Sequence, residues 1–247
     1  MAGNREKIVF CWSGGKDSAL ALNRILRGEQ HEVVSLLTTC NAHFQRVSMH
    51  GVRLDLLEQQ ARSIGLPLEK IFVSRGSNDE YEQKMSDCLL AHKERGVTAC
   101  AFGDIFLEDL KLWREEKLAR VGMRGIFPIW KADPRELLRE FFALGFGSVV
   151  CCVNPAWLDR KFAGRNIDEA FIRDLPANVD PCGENGEFHS FAFAGPIFKE
   201  TVKFKLGQTV YRPVEATRPA DSTTSYVCPA SGPAATKGFW FCDLLPV

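Results

Sequence analysis

The chain has 247 residues, with 31 Lys and Arg against 31 Asp and Glu, so its formal net charge is zero. That length suits one large domain or a large and a small one, and the balanced charge lacks the basic footprint of a nucleic-acid binder. Nine cysteines, an odd number with no C-x-x-C pair, point to mostly reduced core residues. They argue against a C-x-x-C zinc ribbon, an iron–sulfur site or a cysteine-pair sulfur carrier.

The first apolar run, residues 8–12, reads as a strand. It is too short for a signal-peptide core or a membrane span, which predicts a soluble, cytoplasmic protein. A helical pattern follows over 19–26, and between the two stands Ser13-Gly14-Gly15-Lys16-Asp17-Ser18. Strands are then predicted over 32–40, 68–74, 98–103, 126–130 and 148–153. They alternate with helices over 52–64, 79–95, 107–121 and 134–144, which Gly65, Gly96 and Gly122 close and Pro134 opens. This alternation implies an α/β fold with a doubly wound parallel sheet, whose ligands bind at the carboxyl ends of the strands. Beyond about residue 165 a helix over 167–175 gives way to strands over 187–194, 202–210 and 238–245. The expected division is a nucleotide-binding region, 1–165, and a small β-containing region, 166–247. Residues 217–237, rich in Ala, Pro, Ser and Thr, read as a mobile surface loop.

A strand, a tight glycine turn and a helix N-terminus together hold a polyphosphate. The glycines let backbone N–H groups approach phosphate oxygens, Ser13 and Ser18 add hydroxyls, and the helix dipole adds positive potential. Adjacent glycines and a Lys followed by Asp do not fit the Walker A order. The string SGGKDS resembles instead the PP-loop of ATP pyrophosphatases, which split ATP between its α- and β-phosphates. Asp17 would repel phosphate unless a hard cation such as Mg²⁺ lay between them.

The second dense stretch is Cys182-Gly183-Glu184-Asn185-Gly186-Glu187-Phe188-His189-Ser190. Two glycines bracket a turn, after which Glu187 and His189, two apart in a strand, project from one face. Such a pair can position a nucleophile, take its proton or help bind a cation. A polar hairpin turn with a half-exposed strand is the plainer account of the same residues. Cys182, beside the turn, is read as a small buried apolar residue rather than a nucleophile.

SGGKDS at the start, Phe102-Gly103-Asp104-Ile105, and CGENGEFHSF at 182–191 together resemble the diphthine–ammonia ligase family, a branch of the PP-loop ATPases with a HUP-like fold. The similarity covers about residues 7–205 and resumes over 238–244. In that family ATP adenylylates a carboxylate and ammonia displaces AMP to form an amide, the archetypal substrate being the diphthine residue on elongation factor 2. The resemblance implies that Ser13, Gly14, Gly15, Lys16, Asp17 and Ser18 hold the phosphates. It also implies that Thr38 and Thr39 lie by the adenine, and that Gly103 and Asp104 sit close enough to the nucleotide for Asp104 to share Mg²⁺ with Asp17. His50, Arg53, Gly183, Glu184, Asn185, Gly186, Glu187 and His189 would then form the acceptor or ammonia side. Lys16, Asp17, Asp104, Glu187 and His189 would carry the chemistry. For His50 and Arg53 a helix cap and a solvated face account for the residues equally well. The resemblance is to a compact, single-module version, expected to do without the extra C-terminal domains of longer eukaryotic members. The partners implied are ATP, ammonia and a carboxylate-bearing acceptor, with no membrane, no nucleic acid and a homodimer left open. Two other readings stay open, an ATP-binding regulatory module without turnover and a PP-loop tRNA-modifying sulfur transferase.

Overall fold

A computed structural model describes residues 5–74, 78–213 and 237–247. Five strands run parallel in one sheet: β1 (Glu6–Cys11), β2 (His31–Asn41), β4 (Leu68–Val73), β5 (Ala99–Ala101) and β6 (Arg124–Ile126). Their spatial order is β4-β2-β1-β5-β6. The chain winds outward from β1 to β4, then returns to the other side of β1, so the order reverses between β1 and β5. Ile8, Val9 and Phe10 are fully buried because helices cover both faces there. α1 (Lys16–Arg27), α2 (Leu54–Ile64), α3 (Asn78–Glu94) and α4 (Glu108–Arg120) form the connections.

A two-residue strand, β3 (Arg46–Val47), which the sequence pattern does not predict, pairs antiparallel with Cys40 and Asn41. β1 ends its pairing with β2 at Leu37, so β3 takes the same edge of β2 beyond the end of β1. The segment after β3 is thereby carried over the turn that follows β1.

The strand expected over 148–153 exists as β7 (Gly147–Val153), but it does not extend the parallel sheet. It lies inside a second, antiparallel sheet of order β8-β7-β10-β9, with β8 (Phe188–Ala194), β9 (Phe204–Pro213) and β10 (Gly238–Pro246). The reason is physical: a run such as Val149-Val150-Cys151-Cys152 is buried on both faces in the middle of either sheet, so its composition does not tell which sheet receives it. β6 likewise ends at Ile126, earlier than expected, and the chain turns through 127–131. α5 (Pro134–Ala143) then starts sharply on Asp133, whose carboxylate accepts from the N–H groups of Arg135 and Glu136. α6 (Glu169–Asp174) matches the helix expected over 167–175. The loop expected over 217–237 lies, except for Lys237, outside the described residues.

Two apolar cores result. One joins Ile8, Phe10, Leu22, Leu57, Phe141, Val150 and Phe191, filling the space between the parallel sheet, α1, α2, α5 and the second sheet. The other sits under α3 and α4, around Val9, Leu37, Leu89, Cys100 and Leu118. The edge strand β8 is closed by the turn after β1, since Ala192 N–H donates to the Gly14 carbonyl at 2.8 Å. β10 is pinned near β3 by Asp243, whose carboxylate accepts from Arg46 and from both Nε and Nη2 of Arg53. The eight cysteines among the described residues are free thiols. Among those residues no helix is long and apolar enough to cross a membrane.

Candidate active site

The turn after β1 falls where the order of the parallel sheet reverses, and three other elements press onto it. Gly14 has φ +79°, and a Cβ there would stand 2.7 Å from the Gln60 Oε1. A Cβ on Gly15 would stand 2.9 Å from His50 Cε1 and 3.2 Å from the Ser190 carbonyl. Both glycines are therefore demanded by close approach, the first also by its backbone conformation. Gln60, fully buried on α2, accepts from the Trp12 indole N–H and donates to the carbonyls of Gly14 and Ala192. Ser13 Oγ pairs with Ser18 Oγ at 2.8 Å and accepts from Gly15 N–H. Gly15 caps α1 without a side-chain hydrogen bond, and Lys16 N–H donates to Ser190 Oγ on β8.

Lys16 is almost completely buried, with its ammonium 2.7 and 2.8 Å from the Asp17 carboxylate oxygens and 5.5 Å from the Phe188 ring centroid. It also donates to the Cys182 carbonyl. Burial works against its charge, but the adjacent Asp17 carboxylate outweighs it and holds the ammonium above its ordinary pKa. Thr38 is buried and spends its hydroxyl on the Trp12 carbonyl at 2.5 Å. Thr39 stands half-buried beside it, its carbonyl taken by Ser48 N–H.

Gly103 stands so close to α1 that a Cβ would lie 2.9 Å from Ser18 N, which brings Asp104 beside the turn. Arg114 on α4 grips both oxygens of Asp104, at 2.7 and 3.3 Å, while stacking over Phe102. Glu184 reaches the same space from the far side, its Oε1 accepting from Ile105 N–H at 2.8 Å. Burial, then the charges of Asp17 and Asp104, push the Glu184 carboxyl up to about 8. Asp17, Asp104 and Glu184 thus form one acidic cluster at the carboxyl ends of β1 and β5.

The 182–191 stretch folds back on itself before entering β8. Gly183, at φ +73°, lies where a Cβ would meet the Phe188 carbonyl at 2.8 Å. Gly186 turns the chain again at φ +83°, and Asp180 accepts from Glu184 N–H. Glu187 is wholly buried just ahead of β8, its Oε1 accepting from Asp180 N–H and Asn185 Nδ2. His189 lies on β8 with its ring centroid 4.7 Å from that of His50. His50 Nδ1–H donates to the Ser190 carbonyl at 3.0 Å, which leaves its Nε2 as the acceptor. Glu187 Oε2 and His189 Nε2 are the two buried side-chain polar atoms without a hydrogen-bond partner among the described residues. Native proteins leave few such groups, and each calls for an explanation such as strain, a catalytic role or a bound water or ion. Burial drives His189 well below its ordinary pKa, with His50 and Lys16 adding to the effect.

Most of the expected residues meet in this one place. Arg53 does not; it is spent on Asp243, outside the turn. Cys182 is buried, its thiol pushed up by desolvation, and its contribution is the backbone carbonyl under Lys16. Sequence reasoning missed Gln60, Ser190, Asp180 and Arg114. For Ser190 the signal was its place inside the 182–191 stretch, and for Gln60 its position on the apolar face of α2.

Fold and site define a doubly wound α/β protein with a tight glycine turn and a helix N-terminus at the switch point of its sheet, and a second sheet closing over that point. Residues 6–125 match the family model for the diphthamide synthase N-terminal domain, and residues 133–218 match that for the diphthamide synthase C-terminal domain. The chain therefore belongs to the diphthamide synthase family. Among its relatives, a diphthine–ammonia ligase of Schizosaccharomyces pombe is 25% identical over 243 residues, which cover 85% of this chain and 39% of that longer protein. Diphthine–ammonia ligases of Rattus norvegicus and Homo sapiens are 23% and 22% identical over 237 residues, covering 86% of this chain and 88% of theirs.

Proposed function

We propose that this protein is an ATP-dependent amide-forming ligase of the diphthine–ammonia type. A carboxylate oxygen of the acceptor attacks the α-phosphorus of ATP, the bond to the β-phosphate breaks, and pyrophosphate leaves. Ammonia then attacks the acyl carbon of the adenylate, AMP departs with the electron pair, and one proton is lost from nitrogen. The acceptor is a carboxylate on a modified protein side chain or a small molecule.

What supports this reading most directly is that Glu187 Oε2 and His189 Nε2, both in the stretch that packs onto the glycine turn, are buried without a hydrogen-bond partner. A buried carboxylate oxygen attracts the N–H groups of ammonia, and a neutral imidazole nitrogen accepts the proton that the attacking nitrogen sheds. On the other side, Gly14, Gly15 and the first amides of α1 bind the phosphates, and Lys16 moves from Asp17 toward the leaving pyrophosphate. Preorganised positive charge of this kind is where most of the acceleration arises. Thr38 and Thr39 support the end of β2 against the adenine. His50 holds the Ser190 carbonyl and packs on His189, so it positions the ammonia side. Gly183, Glu184, Asn185 and Gly186 shape the acceptor turn, while Arg53, held by Asp243, stays outside it.

The acidic cluster fits a hard dication. Burial, with the charges of Asp17 and Asp104 adding to it, lifts the Glu184 carboxyl to about 8, so that an added positive charge would be favoured there, and oxygen ligands suit Mg²⁺. Asp17 with Asp104 would hold it, Arg114 fixing the orientation of Asp104. Bound there, Mg²⁺ would neutralise charge on the departing pyrophosphate.

Nucleotide product analysis tests the reading. Purified protein is incubated with MgATP and a fractionated cell extract as acceptor source, with and without ammonium. Ammonium-dependent AMP and pyrophosphate are expected; ADP and phosphate, or ATP bound without turnover in every fraction, would overturn it.

A further inference from the structure

Away from the active site, Glu69 on β4 and Cys88 and His92 on α3 bring three metal-ligating side chains together. Cys88 and His92 are four residues apart, so thiol and imidazole leave one face of the helix together. Glu69 is the second residue of β4, paired in register with Leu37 in the first part of the strand rather than at the carboxyl end where the phosphate turn lies. Its Oε1 accepts from the Cys88 thiol at 3.2 Å, and its Oε2 lies 2.8 Å from His92 Nε2. One ligand atom from each residue falls within 4.8 Å of the other two.

We infer that Glu69, Cys88 and His92 form a site for a borderline-soft divalent cation, zinc first, that clamps α3 onto β4. The donor set carries the identity. A thiolate and an imidazole together disfavour Mg²⁺ and Ca²⁺, which take oxygen, and suit zinc, which accepts S, N and O at about 2.0–2.3 Å in a tetrahedron. Ligand atoms around such an ion stand roughly 3–4 Å apart, so atoms within 4.8 Å of one another reach that geometry by shifts of at most about 1 Å. His92 is buried on one side, while the Glu69 side chain is 43% exposed, which leaves a path for water as the fourth ligand.

Binding exchanges the present hydrogen bonds for metal bonds. The Cys88 S–H bond breaks as the Zn–S bond forms, and the proton passes to solvent. His92 moves its ring proton to Nδ1 and offers Nε2. A thiolate and a carboxylate then balance the two charges of the ion. No element of this site takes part in the proposed ligase chemistry, so the two stand or fall separately.

The test uses the full chain, reduced and stripped with a chelator. Titration with Zn²⁺ is expected to give one ion per chain with release of protons to the buffer, and a rise in Tm. Substituted Co²⁺ is expected to show the near-ultraviolet thiolate charge-transfer band with the intense visible bands of four-coordinate cobalt. Cys88→Ser removes the charge-transfer band and weakens Zn²⁺ binding by more than about 100-fold, exceeding the 10–100-fold of losing an outer partner. His92→Gln weakens the visible bands, and Cys11→Ser changes neither. Glu69→Gln, at a half-exposed position, serves if the helix variants fail to fold, and is expected to weaken Zn²⁺ binding while leaving the metal-free Tm in place. Absence of stoichiometric Zn²⁺ binding by the wild-type chain, or survival of the charge-transfer band in Cys88→Ser, would overturn the site.

Discussion

The rings of His50 and His189 lie 4.7 Å apart, inclined by 32°, and both are held neutral by burial. His50 has its pKa lowered from 6.5 to about 4, and the nearby Lys16 ammonium works in the same direction. The unfolded chain therefore takes up a proton that the folded chain refuses. Stability is complete above about pH 6.5 and is lost as pH falls from there toward about 4, by roughly 2–3 kcal/mol for His50. Urea unfolding across this range checks it: His50→Gln is expected to flatten the pH dependence, and a slope equal to wild type would count against the neutral pair.

Lys16→Met removes the ammonium that satisfies the Asp17 carboxylate and the Cys182 carbonyl. Because Asp17 keeps partial contact with solvent, the expected loss is about 2–3 kcal/mol, below that of a fully buried broken pair. Lys16→Met with Asp17→Asn is expected to recover part of that stability without recovering AMP formation. Turnover is expected to fall by at least about 100-fold in either single variant, measured as pyrophosphate release.

Gln60→Leu keeps the bulk of the side chain and deletes three hydrogen bonds at once. The Trp12 indole and the carbonyls of Gly14 and Ala192 are left without that partner, at an expected cost of about 3 kcal/mol in chemical denaturation. Nucleotide affinity is expected to fall as well, because Gly14 loses its support.

Gly15→Ala places a methyl group 2.9 Å from His50 Cε1. Either the His50 ring or the Ser190 strand must give way, costing about 1–3 kcal/mol. If the turn binds phosphate as proposed, calorimetric titration with ATP shows weakened binding, and His50→Gly in the same chain restores part of it.

What the sequence discloses about the site follows a clear division. SGGKDS, the Gly103–Asp104 pair and the 182–191 stretch are each legible as runs of adjacent residues, and all three converge on one turn. The support for that turn is long-range. Periodicity places Gln60 on the inward face of α2, but not against Trp12, Gly14 and Ala192. Nothing around Ser190 announces that its hydroxyl meets an amide 174 residues earlier. β7 shows the same limit at the level of the fold, since a strand apolar on both faces fits either sheet until its neighbours are known. Arg53 is the converse: a charged residue beside a suggestive motif whose partner, Asp243, arrives only with β10.

The bonds from Ala192 N–H to Gly14 and from Lys16 N–H to Ser190 also set an order on biosynthesis. A nascent chain that has released only β1 to β6 carries the whole glycine turn but lacks the strand that completes it. Domains fold as their residues emerge, yet this turn must wait until β8 has left the ribosome and docked. If the turn binds phosphate as proposed, its capture becomes a late event in the life of each molecule, reserved for chains whose second sheet has already closed.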